Sequence, residues 1–198
     1  MKTLLFSIEN YIQSGGVVMI PILTISFFMW VLIINRLLFL RRLYIKNISR
    51  KTAGELIRIN QKPDDKYQGA NSLLVRQFLA ARSNDPVLDD YILDEIVVRQ
   101  VSSLSTHLAT IRILAGVAPL LGLLGTVTGM METFDVITVF GTGNAKAMAG
   151  GISVALITTQ TGLMVSIPGL YMSGFLDKRA NNLKYKLAAT GMYLKRFL

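Results

Sequence analysis

At 198 residues, with 52% hydrophobic and only 17% charged residues and a mean hydropathy of +0.46, the chain carries more apolar surface than one soluble core needs. The absence of cysteine excludes a disulfide framework, a thiolate metal site and a cysteine nucleophile. A formal charge of +9 invites nucleic acid, but no basic stretch is interleaved with aromatics in a binding module, so the charges have to be read by position.

In residues 1–14, Leu4, Leu5, Ile8, Tyr11 and Ile12 recur at helical spacing with Lys2, Ser7, Glu9 and Asn10 between them. This pattern predicts an amphipathic helix in the outer membrane interface, ending at the Gly15-Gly16 turn. Residues 15–40 form the first expected transmembrane helix. The nineteen residues from Val17 to Asn35 are uncharged, and at ~1.5 Å each they reach roughly 28 Å, close to the ~30 Å hydrocarbon thickness. Arg36, Arg41 and Arg42 follow the apolar run instead of preceding it, which argues against a signal peptide.

Residues 41–107 read as a cytoplasmic helical region. A basic stretch leads to a short helix over Ala53 to Ile59, a turn at Lys62-Pro63-Asp64-Asp65, and a second short helix from Asn71 to Arg82 that places Leu74, Phe78 and Leu79 together. Ser83-Asn84-Asp85-Pro86 is a stop and restart. From there Leu88, Ile92, Val98, Val101, Leu104 and Leu108 continue without a breaker, predicting one long helix that runs from cytoplasm into membrane. On that helix His107 is a surface residue near the cytoplasmic interface and not a catalytic base.

The second transmembrane helix is expected at 108–138, a periplasmic loop at 139–146 and the third transmembrane helix at 147–176. The cytoplasmic helix at 177–198 continues the third span, with Leu183, Leu187 and Leu194 on its packing side. No strand signal and no internal repeat is present. The expected fold is an all-α integral membrane protein with three transmembrane helices, the second and third extending far into the cytoplasm, plus the amino-terminal interfacial amphipathic helix.

Basic residues orient these spans. Thirteen lysines and arginines fall between Arg36 and Arg112 and six between Lys178 and Arg196, against Lys2 alone at the amino terminus and Lys146 alone in the loop. The positive-inside rule then makes the middle and the carboxyl terminus cytoplasmic and the amino terminus periplasmic. The net charge reads as topology and contact with membrane lipid, with no nucleic acid partner.

Glycine, threonine and proline recur inside the last two spans. Gly122, Gly125 and Gly129 lie on overlapping faces of the second, and Gly151, Ala155, Gly162, Ser166 and Gly169 offer the same on the third, a pattern that lets another backbone approach closely. Pro119 and Pro168 each free a carbonyl that needs water or a neighbour, and are candidate kinks. Thr126 and Thr128 stand on nearly opposite faces, while Thr158, Thr159, Gln160 and Thr161 cover much of one turn. Two readings stay open: these side chains line a hydrated path, or each threonine returns its hydroxyl to the carbonyl one turn earlier in a helix that only packs. Gln160 in mid-span marks an interface or a path, not lipid.

No ionisable side chain lies in the three apolar cores; the nearest carboxylates, Glu132 and Asp135, stand at the outer end of the second span, either as a cation-gathering mouth or as two solvated interfacial acids. An ion crossing here takes its intramembrane carboxylate from another chain.

Ala118-Pro-Leu-Leu-Gly-Leu-Leu-Gly-Thr-Val-Thr-Gly-Met-Met131 with Phe134, and Gly151-Ile-Ser-Val-Ala-Leu-Ile-Thr-Thr-Gln-Thr-Gly-Leu-Met-Val-Ser-Ile-Pro-Gly-Leu170, resemble the second-helix and third-helix signatures of the MotA/TolQ/ExbB proton channel family. The three-span topology resembles ExbB and TolQ more than the four-span flagellar branch.

The resemblance implies a stator-like subunit of a motor in the bacterial inner membrane, driven by proton or sodium motive force. It implies a homopentamer around two copies of an ExbD- or TolR-like single-span subunit whose aspartate handles the ion, and a TonB- or TolA-like protein that carries the work to the outer membrane. It places Thr126 and Thr159 on the family's pore-facing threonines. It implies no enzyme activity and no cofactor beyond the transported H+ or Na+. Val154 departs from the pattern, since many relatives have glutamate there, and Thr158 stands where proton-driven relatives often have alanine. The alternatives are a flagellar or gliding motor stator and a non-conducting membrane scaffold.

Overall fold

The structure, a computed structural model, describes residues 11–12, 14–45, 47–64, 66–83 and 85–197. The amphipathic helix expected over residues 1–14 lies almost wholly outside the described residues. Six helices account for nearly all of the rest: α1 (Met19–Ile45), α2 (Arg50–Arg58), α3 (Ala70–Ala81), α4 (Pro86–Ser103), α5 (Leu108–Phe140) and α6 (Ala145–Leu194). Short 3-10 turns follow α5 at Gly141–Gly143 and α6 at Lys195–Phe197, and no strand occurs among the described residues.

Three helical stretches, Met19–Ile45, Pro86–Gly143 and Ala145–Phe197, are long and apolar enough to cross a membrane. Only 22%, 33% and 33% of their most apolar windows is buried within the chain, so most of this apolar surface faces lipid or other helices. Pro119 and Pro168 lie inside α5 and α6 without ending them. Each removes one backbone donor, leaving the carbonyls of Ala115 and Met164 without their intrahelical partner.

The chain divides into two compact units, one made of Met1–Ile33 and Thr110–Ser173, the other of Ile34–Ala109 and Gly174–Leu198. In the first unit, α1, α5 and α6 meet where Gly169 has no side chain: a Cβ there would stand 2.5 Å from Met29 Sδ and 3.0 Å from Ala115 Cβ.

The second unit packs in the manner of a water-soluble core, with Ile57, Leu74, Phe78, Leu93, Leu183 and Leu187 buried. The carboxyl-terminal half of α6 therefore uses its leucine face inside its own chain. Local chemistry sets the ends of the short helices. Ser49 caps α2 by accepting from the Thr52 amide at 3.1 Å, and Asn60 takes a positive φ after it. Asp85 caps α4 by accepting from the Val87 amide at 3.0 Å, with Pro86 at the first helical position.

The uninterrupted helix expected from Val87 into the second span is instead two helices. Between Ser103 and Leu108 the bonds tighten to a three-residue reach, Ser105 N to Ser102 O at 3.0 Å and Leu108 N to Ser105 O at 3.2 Å. Ser103 Oγ also donates to Gln100 O at 2.7 Å, which gives the backbone an alternative to the helix ladder. His107 completes the break with φ of 63°, so it is a turn residue and not part of a helix surface. The carbonyl of Ser103, at the end of α4, accepts from the buried guanidinium of Arg36 at 2.5 Å. Arg36 thus serves as a helix-end cap as well as a basic marker after the first span.

Asp89 is a buried carboxylate of this unit held by several hydrogen bonds. Its buried carboxylate accepts from Ser83 N at 2.8 Å, Ser83 Oγ at 3.0 Å and Arg82 Nε at 3.3 Å. Burial alone pushes its pKa up, but the Ser83 bonds and the Arg82 charge outweigh this and hold it below the ordinary value. At the far end of α6, Lys195 Nζ sits between Asp90 Oδ2 at 2.9 Å and Asp94 Oδ2 at 2.7 Å, which raises its pKa.

A depressed carboxylate stabilises the fold above its unfolded pKa, and that contribution is lost as pH falls through the folded value. Asp89→Asn is therefore expected to lower stability at neutral pH by about 2 kcal/mol, and to shrink the loss that the parent protein suffers below about pH 4. Chemical unfolding in detergent at neutral and acid pH measures both. His107→Gly is expected to raise stability by about 1 kcal/mol by relieving the left-handed backbone, read in the same assay.

Candidate functional site

The glycines of α5 and α6 bring two backbones into contact. A Cβ on Gly129 would lie 2.5 Å from Gly151 O and 2.7 Å from Ala155 N, and one on Gly162 would lie 2.7 Å from Ala118 O. On Gly122 it would meet Thr158 O at 3.0 Å and Thr159 Cα at 3.1 Å. Gly125 faces the Thr158 side chain, and Gly151 faces Thr133. Gly122, Gly125 and Gly129 are thus committed to a seam within the chain, in which α5 and α6 run antiparallel.

This seam decides where the polar side chains go. Thr158 is completely buried against Gly125, and its hydroxyl donates back to Val154 O at 2.9 Å and Ala155 O at 3.0 Å. Thr161 is buried as well, donating to Ile157 O at 2.7 Å and receiving the hydroxyl of Tyr11 at 3.0 Å. Thr126 and Thr128 are half-buried and donate to Leu123 O at 2.6 Å and Gly125 O at 3.0 Å. Thr159 is half-buried too; its proton reaches Ala155 O at 3.0 Å and, across the seam, Gly122 O at 3.3 Å. Gln160 points outward, exposed, on the face opposite Thr158.

The structure therefore brings Thr159 and Gly122 together, places Thr126 one turn along α5 from that contact, and turns the side chains of Gln160 and Thr158 away from it. Each threonine hydroxyl spends its single proton on a backbone carbonyl, and those of Thr126 and Thr159 keep their oxygen lone pairs. Such an oxygen accepts from a hydrated cation, a hydronium or a protonated carboxyl, and has no proton left to donate.

At the other end of the seam, a cleft of about 430 Å³ is lined by Glu132, Val136, Gly151, Ser153 and Val154 together with Ser14. Glu132 belongs to this cleft; Asp135 is exposed and does not line it. Val154, half-buried, also packs on Gly16, whose Cβ would stand 3.3 Å from its Cγ1. Two contacts of the seam are not marked directly in the sequence pattern: the Tyr11 hydroxyl on Thr161, and Thr133, which seats Gly151 while donating to Gly129 O at 3.0 Å. The glycine register at 129 and 151 was the signal for Thr133; nothing local marked Tyr11. No group of three or more His, Cys, Asp or Glu residues able to hold a metal occurs among the described residues.

The model of the MotA/TolQ/ExbB proton channel family matches residues 66–189, across the break, the seam and most of α6. The chain belongs to this family. It is 30% identical over 191 residues to the ExbB-like 1 protein of Synechocystis sp., covering 92% of this chain and 75% of that one. It is 29% identical over 190 residues to the ExbB homolog of Methanothermobacter thermautotrophicus, spanning 87% of this chain and 65%, just under two thirds, of that relative. The biopolymer transport protein ExbB of Aquifex aeolicus is 40% identical over 76 residues, 38% of this chain and 51% of its own. Family membership and three apolar helices make this a multi-pass membrane protein.

Because the would-be Cβ of Gly129 lies against backbone that cannot rotate away, Gly129→Val is expected to force α5 and α6 apart and cost about 1–3 kcal/mol. Gly116→Ala, with nothing within 4 Å, is expected to leave the pair intact. Thermal denaturation in detergent compares them.

Proposed function

We propose that the chain is the ion-conducting, stator-like subunit of an inner-membrane complex driven by proton or sodium motive force, a biopolymer-transport type of machine. The observation that carries this reading is the pair of half-buried threonines, Thr126 and Thr159, whose protons are committed to backbone and whose oxygens are left to accept. They stand in the apolar cores of a helix pair, and neither core carries an ionisable side chain. Oxygen acceptors in an apolar setting lower the cost of a passing cation without trapping it, while the titrating carboxylate is brought by another chain.

The family supports five copies around a dimer of an ExbD- or TolR-like single-span subunit, with a TonB- or TolA-like protein receiving the work. The largely unburied apolar faces of the spans leave room for these additional helices. Basic residues orient the carboxyl terminus to the cytoplasm and the amino terminus to the periplasm. Glu132 then belongs at the periplasmic mouth, lining the same cleft as Val154, so a carboxylate stands near the position where relatives carry glutamate. Thr158, shielded from both lipid and pore by Gly125, is a packing residue in this reading and leaves the choice between proton and sodium to other groups.

A second reading, the non-conducting scaffold, is favoured by one observation: all these threonines return their protons to backbone, as packing alone requires. Thr159→Val separates the two. In cells carrying the assembled complex, losing one desolvated acceptor is expected to cut ion-dependent transport by about 10-fold or more while assembly is kept. Unchanged transport in the Thr126→Val, Thr159→Val double variant sinks conduction through this face and leaves the scaffold.

A further inference from the structure

In the second unit, the last turns of α1 and the carboxyl-terminal half of α6 enclose a groove of about 730 Å³. Arg41, Arg179 and Lys186 line it, and no carboxylate does. None of these three cations has a salt bridge or a hydrogen bond among the described residues. Aromatic rings hold two of them instead: the Arg179 guanidinium lies 4.6 Å from the centroid of Phe175, and Lys186 Nζ lies 4.9 Å from that of Tyr44. Leu40, Ile45 and Leu183 add an apolar side, and Asn182 an amide.

We propose that this groove binds the headgroup of an anionic phospholipid of the surrounding membrane. Three uncompensated cations call for an anion, and guanidinium forks match phosphate oxygens in pairs where an ammonium offers a point charge. The apolar side calls for a hydrocarbon attachment, which a free phosphate lacks. Position supplies the third reason. The uncharged run of α1 ends at Asn35 and that of α6 at Leu176, so at ~1.5 Å per residue Arg179 enters the headgroup layer, Arg41 stands at its outer edge, and Lys186 reaches back toward it from the cytoplasmic side. The site needs no ion to move.

The complex purified in mild detergent tests this by native mass spectrometry and thermal shift, with phosphatidylglycerol, phosphatidylcholine or inorganic phosphate added. Phosphatidylglycerol is expected to stay bound and raise the melting temperature, and phosphatidylcholine and inorganic phosphate to do neither. In Arg41→Gln, Arg179→Gln, Lys186→Gln, phosphatidylglycerol retention is expected to fall by about 100-fold, three charges each contributing a factor of about five. Arg50→Gln, Lys51→Gln, which removes two exposed cations of α2, is the control that keeps it. Lys186→Gln alone, with an expected loss of about five-fold, carries the test if the triple variant does not fold. Equal retention in the groove and control variants overturns the proposal, as does an equal shift with phosphatidylcholine or with phosphate alone. A changed number of copies with unchanged lipid retention assigns the groove to a second copy of the chain and overturns it too.

Discussion

Contact between the backbones of α5 and α6 is the constraint on which the rest of the first unit depends. In lipid, two helices gain nothing from burying leucine against leucine, so close approach has to come from dispersion and from polar contacts that only bare backbone permits. Gly129 against Gly151 and Gly122 against Gly162 provide that approach, and it leaves no room for a methyl group at three of those four positions without backbone movement. Thr159 reaches the Gly122 carbonyl across the seam because Gly122 has no side chain in the way. Thr158 disappears because Gly125 leaves a hollow that its side chain fills.

The second unit is governed by different physics. Its short helices cannot persist on propensity alone, and both ends of α2 and α4 are tied by a specific polar group: Ser49 and Asp85 at amino ends, the Arg82 guanidinium on Ile57 O at 3.1 Å and the Arg36 guanidinium on Ser103 O at carboxyl ends. Gly69 belongs to the same scheme. A Cβ there would stand 2.6 Å from the Asn47 backbone nitrogen, and Asn47 in turn accepts from the Asn71 amide at 2.8 Å to start α3. Capping and close loop approach do here what small-residue packing does between the spans.

Much of this organisation was legible in the sequence because it rests on local chemistry or on long apolar runs. The spans follow from uncharged stretches, and the stop before α4 follows from Ser83 to Pro86 because an N-cap acid with proline at the first helical position has few other uses. The break at 104–107 was missed because the apolar spacing runs straight through it and neither glycine nor proline marks it. The usable signal was the cluster Ser102, Ser103, Ser105 and Thr106, whose hydroxyls compete for backbone carbonyls. The face of each threonine was illegible for another reason: Thr158 and Thr159 are neighbours of identical chemistry, and only the position of a second helix separates them. Gly151, Ala155, Thr158 and Gly162 recur at i, i+4, i+7 and i+11, so the seam was written in the small residues, with Thr158 on it.

Proton bookkeeping at the threonines carries the functional argument one step further. A hydroxyl offers one donor and two acceptor positions, and in Thr126 and Thr159 the donor is already spent on Leu123 O and Ala155 O. On the proposed reading, a partner carboxylic acid entering this region finds acceptors for its own proton. Once ionised it finds no donor, and the low dielectric around it makes the unpaired charge costly. The wall therefore favours the protonated acid beside the threonines and the ionised one wherever water is reached. A dry zone that discriminates between the two states, set between hydrated ends, makes the occupancy of the carboxylate depend on its position. Directional ion transfer requires that dependence, and on the proposed reading hydroxyl protons held by the helix's own backbone supply it.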